Sequence, residues 1–345
     1  MIEQHIKKLI RHTGSIAIDE YMSVVVPYYY ANNHVFGSQG DFITAPEVSQ
    51  MFGEIIGVWC ADQFIKAGKH KFRLVELGPG RGTLMSDLLR ATKHVPLFHE
   101  HLQEIILIDS SPELRKTQQA TLKNYPQCQF RDRLGELGNK FTIVIANEFF
   151  DALPIKQFRA QSGKLQEVVI ADDNDQLGFC LSTQSLPLKG PLPEGAIIEV
   201  CPAAETYALQ IADLISSAGG AALIIDYGYT VPSYVSTLQA LKSHKYHDVL
   251  QDIGTADVTA HVDFAALAQM FVKLKCSTQI QTQGDFLQEF GIKARAEKLI
   301  ERGASEAKIN SELNRLTSIT EMGELFKVLS VRNAVFAGSA SDEAI

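Results

Sequence analysis

Apolar residues recur along the chain with two periods, and the switch between them organises it. Over residues 3–12 they fall at helical spacing and predict a short amphipathic helix. Residues 27–40 are aromatic, with Gly and Asn interspersed, and read as an irregular loop. Thr44 and Glu47 stand at capping-box spacing, and Pro46 is tolerated in a first helical turn. Val48, Met51, Phe52, Ile55, Ile56 and Trp59 then predict one helix over 46–66 with a buried face. From residue 72 the pattern becomes short apolar runs, at 72–77, 105–108, 128–131 and 142–146, which read as strands. Helical segments fall between the first three of these, at 84–89 and 111–122. Such alternation is the signature of an α/β fold with a parallel, doubly wound sheet, which binds ligands outside the carboxyl ends of its strands. Residues 156–160, 167–171 and 196–200 look extended, 203–217 helical, and 221–226 form a further buried strand. Residues 285–330 look helical, 328–331 suggest a last strand, and 339–345 a loose tail.

The chain's 345 residues are ample for a sizeable core without a disulfide or metal staple. The expected division is an N-terminal helical arm over 1–70 and a core over 71–338 with inserted accessory segments. Those insertions are extended at about 155–200 and mostly helical at about 231–324. A net charge of −8 argues against a nucleic-acid partner or a broad anionic membrane. No apolar run approaches the ~18 residues of a membrane helix. The start carries neither an apolar h-region nor a transit composition, so a bacterial cytoplasmic location is expected. Cys60, Cys128, Cys180, Cys201 and Cys276 are odd in number and scattered, and read as reduced, mostly buried thiols. His99 and His101 share a face if extended, but no third ligand has credible spacing, so no metal is expected.

The sharpest chemistry lies in Glu76-Leu77-Gly78-Pro79-Gly80-Arg81-Gly82-Thr83, where a buried strand runs into three alternate glycines and then a helix. Glycines let the backbone approach a ligand, and the helix N-terminus offers free N–H groups. Thr83 stands where the dinucleotide fingerprint has its third glycine, and no phosphate-binding lysine motif is near. Glu76 would repel a pyrophosphate and favours a cationic amino group or sulfonium. S-adenosylmethionine carries both.

The neighbouring strand tips are polar too. Asp109, followed by Ser110, is placed to grip a ribose diol, or simply to cap the next helix. Asp132 could accept from an adenine amine, or be a solvated loop charge. Asn147, Glu148 and Asp151, beside Phe149 and Phe150, follow the fourth strand and face the reactive end of a ligand in this topology. Helix capping accounts for one of the three more easily than for all.

These stretches resemble the MidA-like S-adenosylmethionine-dependent methyltransferases, a family that includes a mitochondrial complex I assembly factor acting on an arginine of a complex I subunit. Matching blocks lie in the family's order at 40–54, 76–90, 109–118, 146–154, 225–228, 256–264, 283–287 and 322–329. The resemblance implies a class I (Rossmann-like) methyltransferase fold and S-adenosyl-L-methionine as cofactor. It also implies a protein arginine as acceptor, on a respiratory-complex subunit. It carries the methyl-donor loop to Gly78, Gly80 and Gly82, with Glu76 nearby, and the ribose carboxylate to Asp109; Pro79, Ser110, Asp132 and Asn147 complete the expected donor-binding set. The family more often has Glu where Asp109 stands, and Asp is one methylene shorter. Asn147, Glu148 and Asp151 become the catalytic candidates, with Asp41, Thr44, Asp226 and His261 as further substrate-side positions. A methyltransferase on another acceptor and a catalytically idle donor-binding assembly factor remain alternatives, and a nicotinamide dehydrogenase is a distant one. Oligomeric state is not readable.

Overall fold

The structure, a computed structural model, describes residues 2–32, 44–135, 137–188 and 190–333. The chain forms two compact units. The larger comprises Ile43–Phe150, Tyr207–Thr230 and Val262–Ile345; the smaller comprises Met1–Phe42, Asp151–Thr206 and Val231–His261.

The larger unit is built on a sheet whose main strands are β1 (Phe72–Leu77), β2 (Leu102–Ile108), β3 (Cys128–Arg131), β4 (Phe141–Asn147), β5 (Gly220–Tyr229), β6 (Cys276–Thr282) and β7 (Phe326–Asn333). Their order is β3-β2-β1-β4-β5-β7-β6. β7 runs antiparallel to both neighbours, while β3, β2, β1, β4 and β5 pair in parallel. This is the class I methyltransferase arrangement. All residues of β1 and β4 are buried, which explains why these strands read as continuous apolar runs instead of alternating. Chain direction away from β1 reverses between β1 and β4, so their carboxyl ends flank the sheet's switch point.

Helix Gln50–Lys66 packs directly on helix Thr83–Ala91. A Cβ at Gly53 would lie 2.8 Å from that of Asp87, and one at Gly57 would lie 3.0 Å from the Leu88 carbonyl oxygen. Phe64, Phe72 and Phe98 cluster behind it with ring centroids 4.9–5.4 Å apart. The helix is clamped by its buried Glu54, which takes a bidentate pair from Arg295 at 2.6 and 2.9 Å and a further bond from Arg90 at 2.5 Å.

The smaller unit holds helices Ile2–Thr13 and Ile18–Asn32. Its five-stranded antiparallel sheet comprises Ile16–Ala17, Lys156–Gln161, Lys164–Asp173, Gln176–Pro187 and Ile197–Val200. A three-stranded sheet of Gln239–Lys242, Lys245–His247 and Asp257–Thr259 completes it. Its core gathers Ile6, Ile10, Tyr21, Met22, Val25, Ile170 and Val258.

Several expectations change. Residues 27–32 continue a helix through Pro27, because Tyr21, Val25 and Tyr29 on the same helix are fully buried; residues 33–40 and the 339–345 tail lie outside the described residues. The expected 46–66 helix is two, Ala45–Val48 and Gln50–Lys66, broken at Ser49, whose hydroxyl caps the second. Thr44 makes no side-chain cap; Glu47 turns instead to Thr83. Residues 231–263 hold short strands and turns instead of the expected helices, and helices resume at Phe264. The boundary expected at residue 70 falls inside the larger unit, which already holds the helices from Ala45 onward. Of the cysteines, Cys60 and Cys276 are buried, Cys128 and Cys201 partly so, and Cys180 is exposed; all five are free.

Candidate methyl-donor site

The site is assembled at the carboxyl ends of β1, β2 and β4. Register places Leu77 opposite both Ile108 and Ala146, so Gly78, Asp109 and Asn147 leave their strands at one level. Backbone bonds hold that level: Gly78 N donates to Ile108 O at 3.0 Å, and Asp109 N to Arg131 O at 2.9 Å. Gly78, Gly80 and Gly82 all take positive φ, at 62°, 51° and 80°, which side-chain-bearing residues adopt only under strain. Gly82 N closes the bend onto Pro79 O at 2.7 Å. The Phe149 ring lies over Gly78; a Cβ there would sit 2.9 Å from Phe149 Cδ2. Tyr207 stacks edge-on against Phe149 with centroids 4.9 Å apart.

Two buried polar atoms lie at the bend without a partner among the described residues. Glu76 Oε2 is buried with no hydrogen-bond partner among the described residues, and so is Asn147 Oδ1. Burial pushes the Glu76 carboxyl up to about 8. A buried group left unpaired is costly, and a cation or N–H donor beside each would offset that cost. A cradle without Cβ atoms, next to an orphaned carboxyl, fits the amino-acid and sulfonium end of S-adenosyl-L-methionine.

Asp109 is partly buried, and desolvation raises its carboxyl above the usual range despite bonds from Ser111 N and Gln118. Gln118, not singled out from the sequence, is fully buried; its Nε2 donates to both Gly80 O and Asp109 Oδ2 at 2.8 Å. It thereby couples the glycine bend to the carboxylate beside it. Its only signal in the sequence was its place at the end of the block that opens with Asp109. Ser110 is exposed on the rim. Asp132 is also exposed and bonds to Arg115, which donates in turn to Asp109 O at 3.0 Å.

On the other side of the bend, Glu148 sits at φ 49°, a strained conformation for a non-glycine residue. Its Oε1 accepts from Ala45 N at 3.2 Å and from Asn147 Nδ2 at 3.1 Å, which anchors that oxygen. Asp226 holds this turn from β5: its Oδ2 accepts from Phe150 N at 3.0 Å and its Oδ1 from Tyr227 N at 2.9 Å. Asp226, expected on the substrate side, is buried, and its carboxylate braces this turn. Thr44 is buried beside Ala45, and Glu47 accepts from Thr83 Oγ1 at 2.9 Å.

Two of the remaining candidates belong to the smaller unit. Asp151 opens the second segment of that unit, where its carbonyl accepts from Ala260 N at 3.0 Å. His261 also belongs to that unit; its N–H bonds Thr237 Oγ1 at 2.9 Å, and burial lowers its imidazole below the usual range against the pull of Glu199. Asp41 lies outside the described residues. Among the described residues there is no cluster of His, Cys, Asp and Glu that could hold a metal, and no helix long and apolar enough to cross a membrane.

Residues 55–282 match a family described as "Putative S-adenosyl-L-methionine-dependent methyltransferase". The chain is 36% identical over 366 positions to the Xenopus laevis protein named "Protein arginine methyltransferase NDUFAF7, mitochondrial", covering 95% of the chain and 83% of that relative. To the Homo sapiens protein of the same name it is 32% identical, covering 95% and 82%. A Burkholderia thailandensis protein crystallised with S-adenosyl-homocysteine has the same fold, with a TM-score of 0.85 at 26% identity over 96% of this chain and 91% of that one.

Proposed function

The chain belongs to the S-adenosyl-L-methionine-dependent methyltransferase family, and from that premise we propose that it methylates arginine side chains of a protein acceptor. The observation that carries the acceptor class is the identity of 36% over 95% of the chain to a relative named as a protein arginine methyltransferase. The acceptor's finer identity, a respiratory-complex subunit, belongs to the same proposal. The named relatives are mitochondrial; the cytoplasmic location expected for this chain is proposed with the function and is tested by cell fractionation.

When bound, S-adenosyl-L-methionine supplies an electrophilic methyl group on a sulfonium cation. In this reading Glu76 faces the donor's cationic end, the glycine bend admits its backbone-close atoms, and Asp109, aligned by Gln118, grips the ribose diol, with Pro79, Ser110 and Asp132 on the rim. Direct displacement needs alignment and a dry crevice more than covalent help. Phe149 and Tyr207 supply the apolar wall. An arginine acceptor has a guanidinium pKa above ~12 and must give up a proton as it attacks. Glu148 serves as its partner: the carboxylate can accept a guanidinium N–H, bias charge away from the attacking nitrogen and receive its proton as the nitrogen–methyl bond forms and S-adenosyl-homocysteine leaves. Asn147 Oδ1 orients either the donor or the attacking N–H. Asp151 is carried as a second carboxylate, and Thr44, His261 and Asp41 as acceptor-side positions.

Transfer of a tritiated methyl group to lysate protein, with methylarginine identified by mass spectrometry, tests the proposal. Glu148→Gln should lower transfer roughly hundredfold while leaving donor affinity within about twofold. Label on lysine, on a terminal amine or on a small molecule would overturn the acceptor class. Undiminished transfer by the variant would overturn the role of Glu148.

A further inference from the structure

Residues 44–48 of the larger unit bond to both sides of the glycine bend through different atoms. Thr44 O accepts from Glu47 N at 2.9 Å and from Val48 N at 3.1 Å, which closes Ala45–Val48 into one hydrogen-bonded turn. At its start, Ala45 N donates to Glu148 Oε1 at 3.2 Å. Glu47 reaches the other way: its Oε1 accepts from Thr83 Oγ1 at 2.9 Å, and its Oε2 stands 3.7 Å from Arg81 Nη1. Thr83 opens the helix that follows the bend, and Arg81 lies within the bend, between Gly80 and Gly82. A glutamate placed as Glu47 is has a nearer partner in a capping box, the N–H of Thr44. Among the described residues it turns instead to a hydroxyl 36 residues along the chain. The helix it meets has no carboxylate of its own: Thr83–Ala91 starts at Gly82 without a side-chain cap, and its first turn holds no acidic residue. A negative charge is favourable there.

We infer that Glu47 is a positioning residue that ties the donor bend to Glu148. The inference rests on the reading of Glu148 as the acceptor's partner. The linkage runs from Gly82 and Thr83 through the Thr83 hydroxyl to Glu47, then through the turn to Ala45 N and Glu148 Oε1. Every member belongs to the larger unit. A ligand that orders the bend also fixes the start of the helix after it, and Glu47 passes that constraint to Ala45. The bond to Glu148 Oε1 from Asn147 Nδ2 comes from its own chain neighbour and moves with it. The bond from Ala45 N sets the same oxygen against a separate segment, one that Glu47 holds to the bend. Two reacting groups brought by different strands need such a common reference, because small misplacements are costly in a displacement that depends on alignment.

Hydrogen–deuterium exchange of the full chain, with and without S-adenosyl-homocysteine, tests the link with no acceptor present. The ligand should slow exchange in residues 44–49 as well as in 78–83. Glu47→Ala should diminish the slowing at 44–49 by at least roughly fivefold while keeping that at 78–83. Thr83→Val breaks the same contact from its other end and should match this result, whereas Thr83→Ser keeps the hydroxyl and should behave as the parent does. Transfer of a tritiated methyl group to lysate protein, counted on any acceptor residue, reads the Glu148 end. At saturating donor, Glu47→Ala should lower the rate roughly tenfold in the parent. In the Glu148→Gln background it should lower the rate by less than about twofold, because the two residues act through one contact. Slowing at 44–49 that survives both Glu47→Ala and Thr83→Val would overturn the inference, as would slowing confined to 78–83 in the parent or additive losses in the double variant. Label on a residue other than arginine, with the other results as expected, would overturn the acceptor class alone. A parent that binds no S-adenosyl-homocysteine would overturn the donor site and this inference with it.

Discussion

Replacing Glu76 by Gln isolates the least comfortable group in the site. The carboxyl is fully desolvated and stands at about 8 against an ordinary 4.5. The folded protein therefore keeps a proton that the unfolded chain releases. Its contribution to stability is complete below the unfolded value and is lost as pH rises through about 8. A difference of that size corresponds to about 5 kcal/mol between the protonated and ionised states, as an upper bound. Gln removes the titration while keeping the shape. Urea unfolding without donor, at pH 5 and pH 9, should show the parent losing several kcal/mol more than Glu76→Gln does. Donor binding reverses the preference, because a cation in the crevice needs the carboxylate. Calorimetry of S-adenosyl-L-methionine binding at pH 7, in buffers of differing ionisation heat, should register release of about one proton by the parent and none by the variant. The variant's affinity should also be lower by at least roughly tenfold. Equal pH dependence of stability in the two proteins, with equal donor affinity, would refute the assignment of Glu76 as the buried counter-charge.

Three other outcomes are expected. Gly78→Ala introduces a Cβ at φ 62° within 2.9 Å of Phe149; it should cost about 1–3 kcal/mol of stability in urea unfolding and abolish donor binding in calorimetry. Gln118→Leu uncouples Gly80 from Asp109; donor dissociation, followed by intrinsic fluorescence, should weaken about tenfold with a smaller change in kcat. Glu54→Ala leaves Arg295 and Arg90 without their shared partner; thermal melting should report a loss of about 3–5 kcal/mol. Burial raises the Glu54 carboxyl, but the two arginines outweigh it and hold it below the ordinary value, so this contribution is present above the ordinary carboxylate range and fades as pH falls below it.

Much of the larger unit was legible because its sheet is covered on both faces. β1 and β3 fall where the apolar runs at 72–77 and 128–131 place them, and β2 and β4 differ only at their ends. Asn147 and Asp109 were visible for the same reason: a polar residue ending a buried run stands out. The smaller unit was less legible. Strand Gln176–Pro187 is mostly exposed and carries no alternation, so nothing in its composition marks it as extended. The helix through Pro27 depends on tertiary burial of Tyr21 and Tyr29, which overrides the local preference of proline. Within the site, the bracing role of Asp226 depends on an amide 76 residues away, and the coupling role of Gln118 on a carbonyl 38 residues away. Glu47 had the spacing of a cap and a better partner in Thr83. Sequence spacing marks which residues are unusual, while long-range partners decide what each of them does.

A crystal structure of the chain with S-adenosyl-homocysteine shows whether the bend at Gly78, Gly80 and Gly82 holds the methyl donor. Ligand density is expected along the glycine bend, with its amino-acid end toward Glu76 and its ribose on Asp109. Density elsewhere on the chain, or an open bend at saturating ligand, would contradict it.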